Sequence, residues 1–306
     1  MKAVFDTKPT SIYDDDITGH YQFPRRYYAT VGECIGDWIV FRRPRADGGN
    51  LAYFATAKVV GVDTDQNSPG MNYARLAQFL PFDEPVPWTA FGQYAEEALR
   101  NMPRGQVGVY LRGRSIRPLS EADFRALIAE GLKRTLDPEN AERLDVPQGA
   151  IRDAVQAVQS YPARERDWKI ETVLTNRIVR EASFRGNVYD AYGNRCAVTR
   201  LRILDGRKNS EVHAAHIWPV SQGGPDVVQN GIALSATIHW LFDHHLISLT
   251  DDYRLLIART VPGEIQALFP APDAMINLPS DPKCYPHKAY LARHRMSFFA
   301  ANGGCP

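Results

Sequence analysis

The stretch from Val212 to Leu246 constrains this chain more than any other. Val212 to Trp218 reads as a strand, and Pro219 to Asp226 (PVSQGGPD) is a polar, Gly- and Pro-rich loop. Asn230 then precedes a short apolar run, Ile232 to Leu234. Ser235 stands where it can cap a helix carrying His239 and Asp243. Those two residues are four apart, so they project from one helix face. The segment predicts a hairpin followed by a helix, with His216 on the hairpin opposite the helix-borne pair.

These residue types share a chemistry. A neutral imidazole and a carboxylate on one face can both ligate a divalent cation. A histidine with a pKa near neutrality can take a proton from water. The amide of Asn230 can bind backbone and hold that histidine in line. Phosphodiester hydrolysis needs these parts: charge neutralisation at the phosphate, a base for the attacking water, and fixed geometry.

Length and composition bound the rest. A chain of 306 residues predicts two domains rather than one. The net charge of +1 is too weak to attract a polyanion, so any nucleic-acid surface must come from local clustering. Cys34, Cys196, Cys284 and Cys305 lie far apart and form no CxxC pair. Neither a zinc knuckle nor a disulfide scaffold is indicated, and scattered reduced thiols suit a cytoplasm. The first residues contain no apolar signal segment, and no apolar run is long enough to span a bilayer. A soluble cytoplasmic protein with no membrane partner is expected.

Residues from about 20 to 120 look β-rich. Asp37–Phe41 and Leu51–Val60 read as a hairpin around the turn Asp47-Gly48-Gly49-Asn50. Val107–Leu111 reads as a third strand, and Phe91–Arg100 as a short helix. Ser120 resembles a helix cap followed by Phe124, Leu127, Ile128 and Leu132 at helical spacing. Residues 137–170 are polar and broken by Pro138, Pro147 and Pro162, which predicts a tether containing a helix over Ile151–Gln159. Thr172–Tyr192 is amphipathic and carries Arg177, Arg180 and Arg185, with Arg195, Arg200 and Arg202 soon after. This is the most basic neighbourhood in the chain, and phosphate contacts are expected of Arg177, Arg180, Arg185 and Arg195.

The segment from Phe184 to Leu256 resembles the HNH endonucleases of the ββα-metal group. The residues that carry the resemblance are Ala214-Ala215-His216 on the first strand, Asn230, and His239-Trp240-Leu241-Phe242-Asp243 on the helix. Tyr192–Thr199 would be the entry strand. The resemblance implies that His216 is the general base, Asn230 the orienting residue and His239 a metal ligand. It also implies a divalent cofactor, Mg²⁺ or Mn²⁺, with Co²⁺ or Ni²⁺ as alternatives. Many members carry a ligand directly before the base histidine, where this chain has Ala215. Asp243 is expected to supply that ligand, with His213 as the other candidate. Members with two CxxC pairs hold a structural zinc; here only Cys196 lies in the segment.

Upstream, Tyr27-Tyr28-Ala29-Thr30, Ile35–Phe41 and Tyr53–Val62 resemble the PUA-like superfamily, particularly its EVE-type branch. The resemblance implies a small β-barrel that pockets a flipped, modified base. Tyr27, Tyr28, Trp38, Tyr53, Phe54 and Trp88 are its candidate stacking residues, with Arg42 and Arg43 beside them as phosphate contacts. The expected fold class is α+β: an N-terminal PUA-like barrel with flanking helices over 1–135, a linker over 136–170, and a ββα-metal HNH domain over 171–306. The expected activity is that of a modification-dependent restriction endonuclease. It would flip a modified cytosine (5-methyl or 5-hydroxymethyl) in double-stranded DNA and cut nearby, as a homodimer if both strands are cleaved. The rivals are an HNH nuclease indifferent to modification, of homing or repair type, and a non-catalytic nucleic-acid-binding protein on a degraded nuclease fold.

Overall fold

The computed structural model describes every residue except 9–12, 46–48, 142, 143, 145, 160–170, 207, 208, 272, 273, 305 and 306. The turn predicted at Asp47-Gly48 and most of the predicted tether's second half lie outside the described residues. The chain divides into two compact units, one of residues 1–138 with 148–183, the other of residues 139–147 with 184–306.

The first unit is built on a six-stranded mixed sheet. Its strands are β1 (Ala3–Asp6), β2 (His20–Pro24), β3 (Trp38–Arg42), β4 (Ala52–Thr64), β5 (Met71–Pro87) and β6 (Ile116–Pro118). Their order is β2-β5-β4-β3-β1-β6. β3 is WIVFR, buried along its whole length, as an apolar run enclosed on both faces must be. It pairs parallel with β1 and antiparallel with β4. The long β4–β5 pair changes register at Tyr53/Ala55, Thr56/Lys58 and Val59/Gly61. Such bulges bend and twist a sheet, and this one curls into a half-barrel. Its edges, β2 and β6, are not paired with each other, so the barrel is not closed.

Helices line this sheet: α1 (Tyr28–Gly32), α2 (Glu97–Arg100), α3 (Arg104–Leu111), α4 (Glu121–Gly131) and α5 (Gln148–Gln159). The Ser120 side chain caps α4 by accepting from Asp123 N, and Phe124, Leu127 and Ile128 are buried, as their spacing predicts. The strand predicted at Val107–Leu111 is instead the second half of α3. Val107 alone of that helix is buried, while Val109 is exposed, so the segment lacks the alternating buried face of a strand.

The helix α6 (Arg177–Ala191) carries the division between the units, which falls between Ser183 and Phe184. In the second unit, β7 (Val212–His216) and β8 (Gly231–Ser235) form an antiparallel hairpin with His216 opposite Gly231. The helix α7 (Ala236–Asp243) follows directly. A second hairpin of β9 (Ile247–Leu249) and β10 (Leu255–Ile257), the short α8 (Gly263–Gln266) and the terminal α9 (Lys288–Ala301) complete the unit. The core gathers Phe184 and Val188 of α6, Ala215, Ile232–Leu234 of the hairpin, Ile238 and Phe242 of α7, and Leu291 and Phe298 of α9. The entry strand predicted over Tyr192–Thr199 is a run of turns, with Gly193 and Asn194 at φ of 58° and 56°. Its backbone still joins the hairpin through Ala197 N donating to Ala233 O. No helix among the described residues is long and apolar enough to cross a membrane.

Candidate active site

The β7–β8 hairpin and α7 bring His213 against His239, and His216 at the end of β7 is near enough to influence the ionisation of His239. β8 passes straight into α7 at Ser235 without a loop, so the helix is fixed relative to the hairpin by the chain itself. Ser235 occupies the cap position, but its side chain makes no cap hydrogen bond.

His216 ends β7 and is partly buried. Phe184 of α6 stacks flat on its ring, with centroids 3.7 Å apart and planes 9° from parallel. Phe184 reaches this position because β8 begins with a glycine. A Cβ at Gly231 would lie 2.3 Å from Val188 Cγ2 and 3.0 Å from Phe184 Cε2. His216 Nε2 lies 3.2 Å from Asp226 Oδ1 in the loop between the strands.

Asn230 is fully buried and bonds only backbone. Its Oδ1 accepts from Trp218 N at 2.9 Å; its Nδ2 donates to Trp218 O and Pro225 O, each at 2.9 Å. It therefore ties the two ends of the loop together, and the structure brings its side chain to that backbone rather than to the His216 ring. Gly224 lets the loop pass: a Cβ there would lie 1.9 Å from Trp218 O.

His239 sits between two partners on its two ring nitrogens. Its Nδ1 is 3.4 Å from His213 Nδ1, and its Nε2 is 3.3 Å from Asp243 Oδ2, one helical turn away. Burial holds the His239 pKa below its ordinary value. The Asp243 carboxylate opposes that shift, while His213, Arg185 and His216 add to it. The ring is thus biased toward the neutral form that can ligate a metal.

A pair of imidazoles suits a divalent first-row ion. Nitrogen ligands about 2.0–2.1 Å from a tetrahedral zinc are about 3.4 Å apart, the separation of the two Nδ1 atoms. Asp243 lies on the opposite nitrogen of His239. A carboxylate there fixes the tautomer and orientation of a ligating ring, as outer partners of metal-bound histidines do. No group of three or more histidine, cysteine, aspartate or glutamate side chains that could hold a metal is assembled among the described residues.

The predicted phosphate contacts separate into distinct environments. Arg177 and Arg195 are exposed. Arg180 is committed to the first unit's backbone, donating to Gln78 O and Phe79 O. Arg185 donates to Leu144 O at 3.1 Å and is close enough to His239 to lower its pKa. Arg43 lies over the Phe54 ring, 4.2 Å from its centroid. Arg42 is the clear departure from expectation. It is buried, and its guanidinium meets Asp6 in a bidentate pair at 2.8 and 2.7 Å, so it is turned inward and away from any phosphate.

The candidate stacking aromatics of the first unit divide in the same way. Trp38 and Tyr53 are 0% exposed. Tyr53 donates its hydroxyl to Glu96 Oε1 at 2.6 Å. Tyr27 is buried, with its hydroxyl donating to Gly113 O at 2.5 Å. These three are core residues, and a base could not reach their faces without opening the sheet. Tyr28 is exposed, and Phe54 and Trp88 keep part of their surface. Phe54 contacts Phe41, and Trp88 contacts Tyr94.

Two side chains of this site carry no motif that sequence reading could use. Phe184 belongs to an amphipathic helix, where it reads as core. Asp226 belongs to a turn-rich loop, where an aspartate is expected for conformation alone.

Residues 196–250 match the family model described as HNH endonuclease (HNH_2). Comparison with curated proteins returns no match. Among solved structures, the chain is similar to one titled "Modification dependent TagI restriction endonuclease", at 15% identity and a TM-score of 0.30. That alignment covers 85% of this chain and 61% of the other, so this chain spans less than two thirds of that protein's length. A second is the NMR structure of Rpa0253 from Rhodopseudomonas palustris, at 12% identity and a TM-score of 0.31, covering 42% of this chain and 92% of that one. A third is titled "Structure of the Type IV phosphorothioation-dependent restriction endonuclease ScoMcrA", at 15% identity and a TM-score of 0.22, covering 97% of this chain and 50% of the other.

Proposed function

We propose that this chain is an HNH endonuclease that hydrolyses DNA phosphodiester bonds with its second unit. We further propose that the first unit is a PUA-like reader that makes cutting depend on a modified cytosine. The observation that carries the nuclease reading is the contact of His213 on the hairpin with His239 on the helix that follows it, with His216 ending the same strand, within a segment matching HNH endonucleases. The reader rests on the strand pattern from Tyr27 to Val62, with Tyr28, Phe54 and Trp88 as the aromatics that retain surface for a base.

In this reading His216 accepts the proton of the attacking water as its oxygen bonds phosphorus and the ester P–O bond breaks. Phe184 keeps the ring in one plane, and Asn230 fixes the loop beside it. His213 and His239 would hold the divalent cation, and Asp243 would orient His239 from its far nitrogen. When bound, the cation neutralises charge on the phosphate. Arg185 and Arg195 contribute positive charge for the DNA backbone. One such site cuts one strand, so double-strand cleavage requires two copies, as a homodimer.

The test is digestion of duplexes that differ only in cytosine modification, each with Mg²⁺, Mn²⁺, Co²⁺ or Ni²⁺. His216→Ala is expected to slow nicking about 100- to 10,000-fold while DNA binding persists. Cutting by that variant at the full rate would remove His216 from its role. Equal cutting of modified and unmodified DNA would favour the nuclease without a modification reader, and no cutting with any metal would favour a binding protein.

A further inference from the structure

The loop between β7 and β8 holds a carboxylate that the reading above does not use. Asp226 Oδ1 lies 3.2 Å from His216 Nε2, and the two side chains are only 13% and 22% exposed. Neither group reaches the other by chance of a loose loop. Asn230 ties the loop's first residues at Trp218 to Pro225, the residue directly before Asp226. Backbone bonds from Ile217 N to Asn230 O and from Asn230 N to Val227 O close the turn on both sides of Asp226. On the other partner, the Phe184 ring blocks one face of His216.

An ionised carboxylate can only accept, so an imidazole facing it carries its proton on Nε2 and its lone pair on Nδ1. We propose that Asp226 is a positioning residue for His216: its carboxylate holds the Nε2–H tautomer and orientation that leave Nδ1 as the proton-accepting atom. Asn230 then acts at one remove, by placing the loop segment that carries Asp226. The same carboxylate faces the ring after Nδ1 has taken its proton, and stabilises the imidazolium so formed. This inference rests on the nuclease reading, which it extends by one residue.

The experiment compares the full chain with Asp226→Asn, Asp226→Ala, His216→Ala and the double variant His216→Ala/Asp226→Ala. Asp226→Ala is expected to slow single-turnover nicking about 100-fold, the scale of a misplaced catalytic group, with DNA affinity unchanged. The double variant is expected to be no slower than His216→Ala, because residues acting as one unit are not additive. Asp226→Asn keeps an acceptor at the ring but loses the charge that selects Nε2–H. The His216 ring-nitrogen chemical shifts in the resting protein are expected to show the Nε2–H tautomer in the unaltered chain and a mixture of tautomers in both Asp226 variants, a readout that requires no cleavage. A full nicking rate in Asp226→Ala, multiplying losses in the double variant, or a tautomer unchanged in both Asp226 variants would each overturn the proposal. If the unaltered chain does not nick DNA, the nuclease reading fails, and the ring-nitrogen shifts still decide the Asp226 contact. Should Asp226→Ala not fold, the near-isosteric Asp226→Asn carries the same decision.

Discussion

Both units contain a cluster of ionisable side chains, and the two clusters are built on opposite rules. In the first unit, Arg117 is buried between Asp6 and Glu96, Arg42 lies against Asp6, and Tyr53 bonds Glu96. Burial alone would lower the Arg117 pKa, but the two carboxylates reverse the effect and raise it above its ordinary value. Opposite charges face one another in a sealed interior. In the second unit, like groups face one another: His213 and His239 meet through Nδ1, and the cluster keeps access to solvent. A compensated and enclosed cluster is satisfied by the fold. A partly exposed pair of imidazoles meeting nitrogen to nitrogen can exchange its one shared proton for a cation, which an enclosed and charge-compensated network cannot. The difference separates a structural network from a candidate site more sharply than residue identity does, because arginine, aspartate, glutamate and histidine are all common in active sites.

The contrast can be broken most easily at Arg117. Arg117→Ala leaves the buried Glu96 carboxylate without its cation, while Asp6 keeps Arg42, and removing one partner of a buried pair costs about 3–5 kcal/mol. Denaturant unfolding is expected to show that loss. An unmoved midpoint together with lost DNA binding would mean that the first unit's cluster is a site after all.

A second test uses a histidine that obeys the first unit's rule inside the second unit. His294 on α9 is buried, stacked on Phe242, with Nδ1 2.9 Å from Ser248 Oγ and Nε2 3.0 Å from Phe242 O. The carbonyl can only accept, so Nε2 donates and Nδ1 accepts from the hydroxyl. Burial depresses the His294 pKa to about 4. The unfolded chain therefore binds a proton near pH 6.5 that the folded chain refuses until about pH 4. The contribution is complete above about pH 6.5 and falls as pH drops through that window, by up to about 3 kcal/mol. Urea midpoints measured at pH 7.5 and 4.5 should separate further in the unaltered chain than in His294→Gln. Equal separation would show that His294 is not the enclosed neutral group described.

The hairpin and helix of the second unit were legible because their signals are local. His216, Asn230 and His239 lie within one short segment whose turn residues, alternation and helix spacing agree with each other. Asp226 and Phe184 were not, since one comes from a loop and the other from a helix, and only tertiary packing brings them to His216. In the first unit, β5 escaped notice because Pro81, Pro85 and Pro87 argue against a strand. The strand tolerates them by irregularity: Gln78 adopts a φ of 54°, and its pairing with β4 shifts register repeatedly. Val107, Val109 and Tyr110 favour a strand locally, yet the segment after Pro103 folds as a helix with Val107 alone buried. Arg42 and Tyr53 read as surface contacts because sequence carries no record of Asp6 or Glu96 as their partners, each at least 36 residues away.

The smallest expected effect is also the most pointed, because Tyr53 can belong to either rule. As an interior residue, it supplies one hydroxyl to Glu96, while Arg117 binds both oxygens of that carboxylate. Tyr53→Phe then deletes one of several hydrogen bonds, and the ring that remains fills the same space. A loss of about 1–2 kcal/mol in unfolding free energy is expected, on the scale of a hydrogen bond to a charged group. As a base-stacking residue, Tyr53 would instead need an open face, and at 0% exposure it has none. With the first unit as the proposed reader, affinity for modified DNA is expected to be unchanged in Tyr53→Phe and to fall in Trp88→Ala, where part of the ring is exposed and stacking on a base is worth about 1–3 kcal/mol. The opposite pattern, with binding lost at Tyr53 and kept at Trp88, would mean that the sheet opens to admit a base, and the enclosed cluster beneath Tyr53 would then have to be counted among the groups that meet DNA.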